Sequence, residues 1–176
     1  MVQNRRNCSM QQHEHFMTMA LKAAAHALSA GEFPVGCVMV YQNKVIATAS
    51  RTGTSGGAAN EVDHAEMTAL RQVSDVQGGI EPRRVTLYTT LEPCLMCYGA
   101  LLIHGIGAIV YAYEDAMGGG TALNVSSLSP LYRKRRPVII KNVMRNESLQ
   151  LFKTYFQDSK NSYWQGSLLA QYTLAQ

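Results

Sequence analysis

Between residues 13 and 29, Phe16, Ala20, Ala23 and Ala27, with Met17, Leu21, Ala24 and Leu28 beside them, recur at three- and four-residue steps before Gly31. That period predicts an amphipathic helix with a glycine stop. Two apolar runs follow at 35–41 and 45–50, joined at Gln42 and Asn43. They read as a strand hairpin, and their near-continuous apolarity implies burial on both faces. The Gly, Ser and Ala stretch over 52–60 is a loop, after which Asp63 leads a helical run to about Val73, closed by Gly78 and Gly79. Residues 85–91 predict a third strand, Pro93 opens a helix to about His104, and 106–111 predict a fourth strand.

The order is helix, strand, strand, helix, strand, helix, strand. Crossover helices between strands imply an α/β protein, a three-layer α-β-α sandwich around a central mixed sheet. A short run at 138–140 makes the sheet roughly five-stranded, and Leu149, Phe152 and Phe156 mark a further helix over 147–156 that covers it. Residues 113–137 carry no clear period, and a loop of that length in a compact domain is usually functional. The chain therefore divides into a flexible polar leader, 1–12, one domain, 13–157, and a C-terminal extension, 158–176, with room for one more helix.

Composition agrees with one domain. The 176 residues are 47% hydrophobic and 16% charged, inside the globular range and outside that of disordered or low-complexity chains. No apolar run approaches the roughly 20 residues that span a bilayer, and the first residues lack the apolar stretch of a secretory signal. A cytoplasmic protein with no membrane partner is expected. The net charge of +4 is unremarkable, but Arg133, Lys134, Arg135, Arg136, Lys141 and Arg145 follow one another without an acidic residue. Such a run suits phosphate, and equally a solvated loop.

Chemistry concentrates in two strings at strand-to-helix junctions: Asp63-His64-Ala65-Glu66 and Glu92-Pro93-Cys94-Leu95-Met96-Cys97. Parallel strands deliver such junctions to one sheet edge, where ligands bind. One imidazole and two thiolates, His64, Cys94 and Cys97, are suitable zinc ligands, and three protein ligands leave a fourth position for water, the pattern of a catalytic site. Helix N-termini favour the thiolate form. Glu66, two residues past His64, projects into the same pocket as a proton carrier for hydrolytic attack on an amidine-like carbon bearing an exocyclic amine.

Taken singly, each string has a plainer meaning. Asp63 and Glu66 have the spacing of a capping box. Cys94 and Cys97 alone fit a redox pair or half a structural zinc site. Cys37 reads as a small core residue or a fourth ligand of a structural site. Cys8 lies in the leader, and His13, His15, His26 and His104 are given no role. The joint occurrence of His-x-Glu and Pro-Cys-x-x-Cys is far more specific than either part.

With those strings the chain resembles the cytidine and deoxycytidylate deaminase superfamily, whose signature is H-x-E followed by P-C-x-x-C. From the first helix to about Phe156 it is most similar to bacterial tRNA adenosine deaminases, through Phe33-Pro34-Val35-Gly36, His64-Ala65-Glu66, Thr90-Leu91-Glu92-Pro93-Cys94-Leu95-Met96-Cys97 and Asp115-Ala116. The resemblance implies a cytidine deaminase-like fold, zinc on His64, Cys94 and Cys97, Glu66 as proton shuttle, the Ala65 backbone near the base, Asp115 near the sugar or a flanking nucleotide, and a homodimer. Four features depart from that group, one of them Gly105 in place of an Arg expected near the start of the fourth strand. Arg51 stands where an Asn would bond the base, and a guanidinium only donates and prefers phosphate or carboxylate. The loop after Arg51 is longer, and a neutral tail, 162–176, replaces basic residues. The expected function is zinc-dependent hydrolytic deamination of a nucleobase, in tRNA or in a free base, nucleoside or nucleotide. The other class to weigh is a non-catalytic zinc-stapled or RNA-binding module.

Overall fold

The computed structural model describes residues 9–56, 59–75 and 79–176. Ser9 caps helix α1 (Met10–Ser29), its side chain accepting from the Gln12 N–H at 3.2 Å, so the helix starts before the expected His13. Residues 10–12 of the expected leader are thus helical, and residues 1–8, with Cys8, lie outside the described residues. Strands β1 (Gly36–Tyr41) and β2 (Lys44–Ser50) are joined by Gln42 and Asn43 at φ 51° and 61°. Two consecutive positive φ angles are the geometry of the tight hairpin turn that matches strand twist. Next come α2 (Ala65–Asp75), β3 (Val85–Leu91), α3 (Leu95–His104) and β4 (Ala108–Tyr113). Of the glycines expected to close α2, Gly79 has φ 68° and Gly78 lies outside the described residues. Pro93 does not open α3; Cys94 takes the extended cap conformation (φ −66°, ψ 170°) and the helix begins after it.

The segment after β4 is less bare than its sequence suggests. It holds a 3₁₀ turn, Val125–Ser127, and a one-turn helix α4 (Pro130–Arg133), then β5 (Val138–Ile140), α5 (Arg145–Gln157) and α6 (Leu168–Leu174). The sheet has five strands in the order β2-β1-β3-β4-β5. β1 pairs antiparallel with β2 and β3, whereas β3, β4 and β5 run parallel. Helices α1 and α5 cover one face, α2 and α3 the other. The three-layer α/β sandwich with a mixed five-stranded sheet is the observed fold.

Alternation along the strands sorts side chains between layers. Val38, Val40, Tyr88 and Val110 face α1 and pack with Phe16, Met17 and Ala20. Cys37, Met39, Leu87 and Ile109 join the cluster of Ala65, Ala69, Leu101 and Leu102 on the other face. β1 is buried from Gly36 to Val40, but β2 is not: Val45 and Thr48 are exposed while Ala47 and Ala49 are buried. The expectation of burial on both faces fails for β2 because it is the edge strand. The Gln72 side chain closes part of that edge, accepting from the Thr48 N–H at 3.2 Å and donating to the Thr48 carbonyl at 3.1 Å. At Gly36 the α1 backbone comes so close that a Cβ would lie 2.3 Å from the Ala24 nitrogen and 2.4 Å from the Ala20 oxygen. Only glycine admits that packing.

Candidate active site

The sheet edge where β3 and β4 end and β1 begins receives the N-termini of α2 and α3. There His64 Nδ1 lies 3.6 Å from Cys94 Sγ and 3.5 Å from Cys97 Sγ. These three are the one group of His, Cys, Asp or Glu side chains among the described residues whose ligand atoms gather in this way, all within 4.8 Å of one another. Local structure places each. The His64 carbonyl accepts from the Thr68 N–H at 3.0 Å, so the imidazole leaves the chain as α2 starts. Cys94 caps α3, and Cys97 follows one turn inside, fully buried.

The thiols differ in proton affinity. A hydrogen bond from Cys97, helped by His64, brings Cys94 down to about 4, against the upward push of burial. Cys97 moves up, because it donates that bond and is buried. His64 is raised, chiefly by its hydrogen bond to Cys94. The site thus holds thiolate character at a helix N-terminus, as a metal ligand requires. Cys37 is not part of the group; burial in the core pushes its thiol up and leaves it a packing residue. Among the described residues the four-ligand structural alternative therefore has no fourth cysteine.

Glu66 is 3% exposed and turns into the pocket instead of capping its helix. Thr89 Oγ1 donates to its Oε1 at 3.1 Å, and the Cys97 thiol approaches Oε2 at 3.7 Å. Burial raises its proton affinity. The capping-box alternative fails on the other partner too, since the Asp63 carboxylate is engaged by Asn60 at 2.6 Å and by Arg71. Asp115 lines the pocket, but its Oδ1 already accepts the N–H groups of Met117 and Gly118, both at 2.9 Å, and burial pushes its proton affinity up. Ala65 is fully buried at the pocket floor.

Arg51 is not the open phosphate grip its residue type suggests. It is 2% exposed, and its Nη1 donates to the carbonyls of Thr52 at 3.1 Å and Asp63 at 3.0 Å, tying both ends of the loop that delivers His64. Residues of the basic run are held by separate partners. Arg135 donates to the Ile103 carbonyl at the far end of α3, nine residues or about 14 Å along the helix axis from Cys94. Arg145 is paired with Glu114 through Nε at 2.7 Å and through its second nitrogen.

Several site residues carry no signal in the sequence reading. Glu92, 9% exposed, accepts from the Thr121 N–H at 3.2 Å and from the Thr121 hydroxyl, holding the 115–121 segment over Cys94. Its position directly before Pro-Cys was the available cue. Phe33, Tyr163, Trp164 and Leu169 also line the pocket. They come from distant parts of the chain, and no spacing links them.

Fold and site together define an α/β protein that gathers, at one sheet edge, a His-Cys-Cys donor set able to hold a metal and a buried carboxylate beside it. Residues 10–113 match the cytidine and deoxycytidylate deaminase zinc-binding region, and the chain belongs to that family. It is a hydrolytic deaminase. It is 30% identical over 152 residues to a tRNA-specific adenosine deaminase of Agrobacterium fabrum, covering 86% of this chain and 98% of that one. To tRNA-specific adenosine deaminase 2 of Xenopus laevis it is 32% identical over 158 residues, covering 85% and 89%. A solved structure from work on A-to-I editing by tRNA deaminases at the wobble position superposes with a TM-score of 0.67 at 29% identity, covering 78% of this chain and 98% of that one. A structure solved with 8-azaguanine shares the fold, with a TM-score of 0.63 at 20% identity over 81% of this chain and 83% of that one.

Proposed function

We propose that this chain deaminates adenosine in transfer RNA, replacing the exocyclic amine by a carbonyl and releasing ammonia, with zinc on His64, Cys94 and Cys97. The observation that carries the reading is the 3.5 and 3.6 Å separation of His64 Nδ1 from two thiols beside a buried Glu66, in a chain about as long as the tRNA-specific relatives. Zinc–sulfur bonds of about 2.3 Å and zinc–nitrogen bonds of about 2.0–2.1 Å at a tetrahedral angle put nitrogen and sulfur roughly 3.6 Å apart. Both nitrogen–sulfur separations fit zinc.

Zinc, when bound, lowers the pKa of a coordinated water from about 15.7 to near 7 and so supplies a nucleophile at neutral pH. The chain's own residues do the rest. Glu66 accepts the proton of the attacking water and returns it to a ring nitrogen. A second proton follows through Glu66 to the leaving amine, so water is consumed and ammonia departs. Thr89 fixes Oε1, and Oε2 lies 3.7 Å from the sulfur of the ligand Cys97, beside where the metal would sit. The apolar floor at Ala65 and the buried walls keep bulk water from competing for these protons. A flipped-out base reaches such a pocket without the rest of the loop entering it. Asp115, with its oxygen occupied by backbone N–H groups, shapes the segment beside the sugar.

Glu66→Gln keeps zinc and the fold while ammonia release falls by about 10²–10⁴-fold, the usual share of a general acid–base group. Unchanged turnover in that variant overturns the mechanism, and zinc without turnover on any adenosine-containing RNA favours the structural module. A cytoplasmic location belongs to the same proposal, and a transfer-RNA substrate supports it. We also propose a homodimer, supported by the exposed apolar face of α3, where Leu95, Met96 and Ile103 are 59, 37 and 52% exposed. Ile103→Glu shifts the mass measured by light scattering from dimer to monomer, and a monomeric wild type removes the assignment.

A further inference from the structure

We propose that Arg51, Glu61 and the Tyr163–Trp164 turn form one substrate-selecting wall in which Arg51 donates to an acceptor atom of the base. The inference deepens the adenosine reading and rests on it. Arg51 Nη1 is satisfied by two carbonyls, whereas Nη2 is buried with no hydrogen-bond partner among the described residues. Its nearest carboxylate oxygen, Glu61 Oε2, is 3.8 Å away, on a side chain 54% exposed that already accepts the Tyr163 hydroxyl at 2.8 Å. The guanidinium carbon lies 5.7 Å from the Tyr163 ring centre. Arg51, His64 and Glu66 line the same pocket as Tyr163 and Trp164. A buried cationic donor without a partner is costly unless a ligand satisfies it.

The wall is anchored, not a loose tail. Phe33 packs on Phe152, Tyr155 and Tyr163 with ring centres 5.2–5.3 Å apart. Leu169 is fully buried, Thr173 bonds Tyr113 at 3.0 Å, and Tyr172 bonds Glu114 at 2.7 Å. Trp164 sits at φ 60°, a left-handed conformation that bulky residues seldom adopt and that marks ligand clamps. With the turn in place the cavity measures about 60 Å³.

A guanidinium offers only donors, which selects for a carbonyl oxygen or an unprotonated ring nitrogen and against an amine. On adenine, with the nitrogen beside the reacting carbon served by Glu66, the acceptors left are the ring nitrogens at positions 3 and 7. The test compares zinc-loaded wild type, Arg51→Lys and Arg51→Ala on an anticodon stem-loop whose wobble adenosine is intact, 3-deaza or 7-deaza, reading kcat/KM. In the wild type one deaza substrate loses about tenfold or more, and in both variants that penalty shrinks to within about twofold. Comparing the penalty across variants cancels the intrinsic reactivity of the analogue. The same penalty in all three proteins, or none in the wild type, overturns the assignment.

Because Arg51 also ties Thr52 to Asp63, zinc content and melting are checked in each variant. Tyr163→Phe, which removes only the hydroxyl on Glu61, raises KM with kcat kept; unchanged KM there removes the tail from the wall. Absence of inosine from the intact stem-loop is failure of the tRNA reading, not of the wall. The wall is then read through fluorescence of Trp164, the sole tryptophan, titrated with adenosine, guanosine, cytidine and their 5′-monophosphates. A saturable change that weakens about tenfold or more in Arg51→Lys supports the wall. A change insensitive to Arg51→Lys, or no change with any of them, overturns it.

Discussion

Glu66 and Asp63 have capping-box spacing, yet neither caps: Glu66 is turned inward by the floor it stands on, and Asp63 is taken up by Asn60 and Arg71. Sequence spacing names the residue and the neighbourhood decides its job. Gly36 makes the same point for packing. A methyl there meets two α1 backbone atoms at 2.3 and 2.4 Å, and backbone cannot swing aside as a side chain does. Gly36→Ala therefore lowers stability by about 1–3 kcal/mol or more, measured by denaturant titration. The loss appears with and without metal, because the clash lies between α1 and β1.

At the scale of elements, the loop between β2 and α2 depends on Glu32. Its carboxylate accepts from the Thr54 N–H at 2.6 Å and hydroxyl at 2.5 Å, and from the Ser55 N–H at 3.2 Å and hydroxyl at 2.6 Å. Partial burial pushes its pKa up, but those bonds outweigh it and bring the group down to about 2. A carboxylate whose folded pKa is depressed adds stability above its ordinary value of 4.5, and that stability is lost as pH falls toward 2. Thermal melting of the wild type should therefore fall more steeply between pH 4.5 and 2 than that of Glu32→Gln. Parallel curves would show that the clamp does not stabilise the fold. Pattern located most of these elements well: β3 and β5 stand where the apolar runs predict them, and α1, α3 and α5 shift by a few residues at their ends. It misread β2, because an edge strand and a central strand can share composition while differing only in what lies beside them.

For the molecule as a whole, the metal group links the start of α2 to α3, so its occupancy is coupled to folding. Zinc present at about 100 times its Kd adds roughly 2.7 kcal/mol to unfolding free energy. A chelator should lower the melting temperature and abolish turnover together, and zinc should restore both. Recovery of stability without turnover would separate the metal's structural part from its chemical one. In Cys97→Ser the same chelator should change the melting temperature little, since one ligand is already compromised.

His64, Glu66, Cys94 and Cys97 were legible in the chain because each pair sits within one helical turn and the chemistry demands those residue types. The alternation of strands and helices was legible for the same reason, since periodicity is a local property. What only the tertiary structure decided is the pocket's outer wall. Arg51, Glu61, Phe33 and the Tyr163–Trp164 turn lie up to 131 residues apart in the chain and meet only after the tail folds back over the sheet edge. Their meeting is set by packing between layers, to which no single segment's pattern refers. The same packing spread the basic run, with Arg135 at the far end of α3, Lys141 near the Tyr111 ring and Arg145 on Glu114.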